Sequence, residues 1–113
     1  MDRLFVYGTL APGEKNYSLI EGAGGSWENA SCYGRVYTQT QGTHIGLPCF
    51  SATNSGDRVS GQLLSSKHLG AYWDMLDEFE GELYERRLIL VRTEHGQELE
   101  AYVYASVTDS QSV

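Results

Sequence analysis

Positive charge is scarce in this chain. Of its 113 residues, 8 are Lys or Arg against 15 Asp or Glu, a formal net charge of −7. Nucleic acid and anionic membrane surfaces both call for clustered basic side chains, so neither is expected as a partner. Long apolar runs are missing too, and nothing approaches the ~20 residues of a membrane-spanning helix. The opening Met-Asp-Arg-Leu-Phe-Val-Tyr-Gly lacks the basic start and long apolar stretch of a signal peptide. The expected location is the cytoplasm. Cysteine is nearly absent: Cys32 and Cys49 form no Cys-x-x-Cys pair and read as reduced core residues, not as a disulfide framework. His44, His68 and His95 are spaced too widely for a helical pair or a finger-like metal site, so no metal is expected. No repeat, charge block or low-complexity segment is present.

What is there fits one domain over residues 1–113, with enough apolar surface for a single core. Leu4 to Tyr7 reads as a short apolar strand that stops at Gly8-Thr9-Leu10, followed by a turn at Ala11-Pro12-Gly13. Glu14 to Ile20 has room for a short helix. Period-two alternation marks strands over Ala30 to Thr38, Arg58 to Leu64, Tyr84 to Thr93 and Leu99 to Ala105, with a hairpin turn at Glu94-His95-Gly96-Gln97. Gln39 to Ser55 is poorly patterned, with a brief extended piece near Phe50 to Ala52. Ser65-Ser66 is placed to cap a helix from about Lys67 to Glu80. Residues 107–113 read as a disordered tail. Strands and helices mixed in this way predict an α+β fold, with a sheet curled around or against helices.

The helix ending at Glu80 contains a residue in an unexpected place. At ~100° per residue with Leu69 at zero, Trp73 falls at ~40°, Leu76 at ~−20°, Tyr72 at ~−60° and Phe79 at ~−80°. Glu80 falls at ~20°, in the middle of that apolar stripe. Gly81 then ends the helix. A carboxylate on a core face is costly unless it is paired or lines a cavity, and desolvation raises its pKa toward the range useful for proton transfer. Two readings stand: Glu80 is a general acid/base, or it closes the last turn and swings to water or pairs with Arg86 or Arg87.

An apolar strand running into Tyr7-Gly8-Thr9-Leu10 is either an ordinary strand-ending turn or a ligand loop. In the second case, Gly8 lets the backbone approach a ligand and successive N–H groups cradle an oxyanion. Tyr84 and Arg86 share one face of their strand. Arg86 either grips a substrate carboxylate or balances local acid. Tyr102 and Tyr104 are likewise same-face neighbours, lining a cavity or an amphipathic sheet face. Gly22-Ala23-Gly24-Gly25 has neither the preceding strand nor the following Lys of a phosphate loop.

Taken together, Leu4-Phe5-Val6-Tyr7-Gly8-Thr9-Leu10, Val59-Ser60-Gly61-Gln62-Leu63, Leu76-Asp77-Glu78-Phe79-Glu80-Gly81 with Tyr84-Glu85-Arg86, and Glu100-Ala101-Tyr102-Val103-Tyr104 resemble the γ-glutamylcyclotransferase-like family. The short length is similar to its γ-glutamylamine cyclotransferase branch and small bacterial relatives. The resemblance implies a compact mixed β-barrel of about five to six strands flanked by short helices. It implies a small-molecule γ-glutamyl substrate held at the loop after the first strand by Tyr7, Gly8, Thr9 and Leu10, with Tyr84 and Arg86 beside them. It implies Glu80 as general acid/base, and release of 5-oxoproline and a free amine with no cofactor. Two alternatives share the fold: a non-catalytic small-molecule binding module, and an enzyme that removes a γ-glutamyl protecting group from a biosynthetic intermediate. The leaving amine and the oligomeric state are not set by these motifs.

Overall fold

Period-two alternation along the strands decides which side chains share a core. The computed structural model describes residues 2–8, 10–38, 48–52, 57–81 and 84–106, without the side chains of 35–38, 48–52, 57 and 106. Its elements are β1 (Asp2–Val6), β2 (Ser26–Thr38), β3 (Pro48–Ala52), β4 (Asp57–Ser66), α1 (Trp73–Glu80), β5 (Tyr84–Thr93) and β6 (Glu98–Ser106). Five strands follow the order β2-β4-β1-β6-β5, and β5 returns to β2 at Ala30↔Thr93 and Ser31↔Arg92, closing a barrel. β1 and β6 run parallel, while the other pairs are antiparallel, so the barrel is mixed. β3 pairs with the far end of β2, outside the ring of five.

Two apolar layers result. Phe5, Cys32, Val59, Leu63, Val91 and Val103 fill the barrel interior. Leu4, Val6, Leu64 and Tyr104, on the opposite faces of β1, β4 and β6, meet Leu10, Ile20, Leu69 and Leu76 beneath α1 and the loop after β1. Burial on both faces explains why Leu4-Phe5-Val6 and Leu63-Leu64 read as continuous apolar runs. The outer face of β5 is covered only at its start. Tyr84 is buried there, whereas Leu88 and Leu90 on the same face stand 52% and 57% exposed. β4 and β1 approach so closely at Gly61 that a Cβ there would collide with the Val6 carbonyl and lie 2.7 Å from Phe5 Cζ.

The expected helices are shorter than their patterns. Glu14 to Ile20 yields one 3-10 turn, Tyr17–Leu19, and a second follows it at Glu21–Ala23. Lys67 to Glu80 divides into a 3-10 turn, Leu69–Ala71, and the eight-residue α1. Ser66 Oγ accepts from the His68 N–H at 3.1 Å and donates to the Ala23 carbonyl at 2.9 Å, so it ties down the entry to that turn and does not cap α1. Gly70 is a poor helix former. Gly81, at φ +84°, ends α1 by donating its N–H to the Asp77 carbonyl at 3.1 Å. Thr9, the 107–113 tail and most of the Gln39 to Ser55 stretch lie outside the described residues. Among the described residues no helix is long and apolar enough to cross a membrane.

Candidate active site

Despite the broken helix, the apolar face of α1 stands where the wheel puts it. Leu76 is buried, Trp73 and Phe79 are partly buried against the outer core, and Asp74 and Glu78 are exposed. Glu80, the last residue of α1, is half-buried on that face. Burial raises its carboxyl from the ordinary 4.5 to about 7.

Tyr104 and Tyr84 are bonded to the end of α1, and Tyr7 is bonded to Tyr104. Tyr104, on β6, donates its hydroxyl to Asp77 Oδ1 at 2.6 Å. Burial, the Asp77 bond and the nearby Asp77 and Glu80 charges all push the Tyr104 phenol far up, so it stays protonated. Tyr7, just past β1, donates its hydroxyl to the Tyr104 backbone carbonyl at 2.9 Å. Tyr84 is buried at the start of β5, with its N–H on the Gly81 carbonyl at 3.3 Å. The loop from β1, the end of α1 and the start of β5 are thus joined through β6.

Tyr7 and Gly8 line a cavity of about 510 Å³ with Ala11, Pro12, Gly61 and Gln62. Leu10 is buried in the outer core and anchors the loop. Gln62 lies in a segment that carries the family resemblance, but the sequence assigns it no role. Its Oε1 is buried without a hydrogen-bond partner among the described residues, and its place beside the loop follows from the pairing Val6↔Gln62. Only the β1–β4 register brings these residues together, so local pattern holds no signal for it.

Arg86 sits toward the other end of the helix. Its Nη2 lies 3.6 Å from Asp77 Oδ2, and its guanidinium packs over the rings of Trp73 and Tyr102, 4.5 and 5.3 Å from their centroids. Trp73 and Tyr102 meet edge to face at 5.2 Å. Of the two readings of Arg86, the pairing with Asp77 matches that of a cation balancing local acid. Arg86 Nη1 is buried without a hydrogen-bond partner among the described residues. Asp77 lies in the motif of residues 76–81, but its partners Tyr104 and Arg86 come from other strands and are illegible in the sequence.

A family described as "Gamma-glutamyl cyclotransferase, AIG2-like" matches residues 4–112. Several solved structures are similar. YkqA of Bacillus subtilis is 25% identical with a TM-score of 0.72, and the match covers 94% of this chain and 36% of that one. A protein of Arabidopsis thaliana is 23% identical with a TM-score of 0.70, covering 96% of this chain and 63% of that one. An AIG2-like protein of Mus musculus is 24% identical with a TM-score of 0.67, covering 96% and 78%. The chain thus spans about a third of the Bacillus protein and under two thirds of the Arabidopsis one. No curated protein matches it.

Proposed function

Because this chain belongs to the γ-glutamyl cyclotransferase, AIG2-like family, we propose that it releases 5-oxoproline and a free amine from a γ-glutamyl amino acid or γ-glutamylamine. In this reading Glu80 is the general acid/base. Tyr7, Gly8, Thr9, Leu10 and Tyr84 hold the γ-glutamyl group, and Arg86 serves the site through Asp77.

The substrate carries both reacting groups. Its α-amine attacks its own γ-carbonyl, a C–N bond closes the five-membered lactam, and the bond to the γ-linked amine breaks. The protein's main task is to hold the folded conformer. One proton must leave the attacking amine and one must reach the departing nitrogen. A carboxyl that titrates near neutral pH does both in turn and ends unchanged. The tetrahedral oxyanion needs donors, for which backbone N–H groups after Gly8 are the nearest candidates on the loop.

The observation that carries this reading is Glu80 itself, a half-buried carboxyl at the end of α1 whose pKa is raised to about 7. A binding module has little use for such a group. The test is 5-oxoproline release from γ-glutamyl amino acids, γ-glutamyl-ε-lysine, other γ-glutamylamines and glutathione, with wild type and Glu80→Gln side by side. Release by wild type alone, with both proteins folded, supports the proposal, and the best substrate names the leaving amine. Release by Glu80→Gln at the wild-type rate would remove Glu80 from the chemistry. No release from any substrate, with 5-oxoproline still bound, would favour the binding module.

A further inference from the structure

Asp77 is on an accessible face of α1, where a lone carboxylate would ordinarily be solvated. Here it is gripped twice. Tyr104 donates to Oδ1 at 2.6 Å, and Arg86 approaches Oδ2 at 3.6 Å. The Arg86 guanidinium is held in turn against Trp73 and Tyr102. Trp73 opens α1 and Glu80 closes it, which separates them by about 10 Å along the axis. Asp77, which pairs with the cation, lies only three residues before Glu80, about 4.5 Å of axial rise, so the ion pair stands within one turn of that carboxyl.

We infer that Asp77 and Arg86 are positioning residues for Glu80: their ion pair, closed by the Tyr104 hydroxyl, pins the last turn of α1 to β5 and β6 and keeps the two charges balanced within a turn of the Glu80 carboxyl. The catalytic importance of the pair rests on the proposed role of Glu80, but its physical effect on Glu80 does not.

The consequence is electrostatic. A cation within about 4–6 Å of a carboxylate lowers its pKa, and a like charge raises it. Paired, Asp77 and Arg86 carry no net charge, and burial is what raises the Glu80 carboxyl. The other groups on the elements packed against α1 are few. On β5, Tyr84 is buried, while Glu85 and Arg87 face the other side of the strand, 3.5 Å from each other. On β6 they are Tyr102 and the protonated Tyr104, with Glu98 and Glu100 exposed earlier on the same face. On β1, Asp2 accepts from Trp73 Nε1 at 3.4 Å, and Arg3 alternates to the face opposite Leu4. The 3-10 turn before α1 is preceded by an exposed His68.

The experiment reads Glu80 directly and needs no substrate. The chain is labelled with ¹³C at glutamate carboxyls, the Glu80 resonance is assigned by its loss in Glu80→Gln, and its titration is followed by NMR with a thermal melt for each variant. Asp77→Asn frees Arg86 and is expected to move the Glu80 titration about one pH unit lower. Arg86→Leu leaves Asp77 uncompensated and is expected to move it upward by a similar amount. The double variant returns it to the wild-type value. Asp77→Asn that folds and titrates like wild type overturns the inference, as does a double variant that stays displaced. Should Asp77→Asn fail to fold, Arg86→Leu decides alone: an upward shift supports the pair, and an unmoved titration overturns it. In an active enzyme the acid limb of kcat/KM shifts with the same sign. Failure of the 5-oxoproline assay would overturn the proposed reaction without touching the titration, which tests the pair by itself.

Discussion

The hydroxyl of Tyr7 donates to the backbone carbonyl of Tyr104 at 2.9 Å. The bond joins the loop leaving β1 to β6, the one parallel pair in the barrel. Because Tyr104 also holds Asp77 through its own hydroxyl, a single residue of β6 ties the loop on one side to the helix on the other.

Tyr7→Phe removes only the hydroxyl, and a net loss of about 1 kcal/mol is expected. For a domain of this size that lowers the melting temperature by roughly 4–8 °C. If the loop binds the γ-glutamyl group, KM rises more than kcat falls. Calorimetry and a substrate-saturation curve check both, and an unchanged melt would show that the hydroxyl does not anchor the loop.

Glu80 makes stability depend on pH in a sense opposite to most carboxyls. Folding raises its pKa from 4.5 to about 7, so the folded state binds more protons between those values. Its contribution is fully present below pH 4.5 and is lost as pH rises through about 7, by at most about 3 kcal/mol. Glu80→Gln carries no such proton. Relative to wild type it is expected to be about 1–2 kcal/mol more stable at pH 8 than at pH 5. Urea unfolding at the two pH values measures this, and parallel behaviour of the two proteins would mean that residue 80 is solvated.

Gly61→Ala is expected to destabilise the barrel by roughly 2–3 kcal/mol, since the added Cβ must displace either the Val6 backbone or the Phe5 ring. Neither is the free end of a flexible side chain. Denaturant midpoints provide the check, and a neutral substitution would show that β1 and β4 stand further apart.

Cys32 lies in the barrel interior, and burial pushes its thiol up to about 12. At pH 8 it stays protonated and shielded. Alkylation mapped by mass spectrometry is expected to be on the order of 100-fold slower at Cys32 in the native chain than in denaturant. Equal rates would contradict its place in the core.

Strand positions are legible in the sequence because each depends on neighbours two residues apart. Tyr84 to Thr93 is found as expected, and β6 extends the expected Leu99 to Ala105 by one residue at each end. The helix is harder to delimit. A wheel drawn from Lys67 assumes one continuous turn geometry, whereas the Ser66 side chain and a 3-10 turn reset the path before Trp73. Glu80 still emerges on the apolar face because its phase relative to Trp73 and Leu76 depends only on α1. Leu88 and Leu90 show the reverse case: their apolar character predicts burial, but α1 is too short to cover them.

The sequence by itself determined which faces are apolar, where the chain turns, and that a carboxylate stands on the buried face of a helix. Those properties follow from residue order within a single element. Tertiary structure alone decided that Arg86 faces Asp77 and the rings of Trp73 and Tyr102, that Tyr104 binds Asp77, and that Tyr7 reaches across to β6. Those contacts depend on strand register and barrel closure, which bring together residues as far apart in the chain as Tyr7 and Tyr104. The partners of a charge, unlike its phase on a helix, are set by what the rest of the chain carries to it.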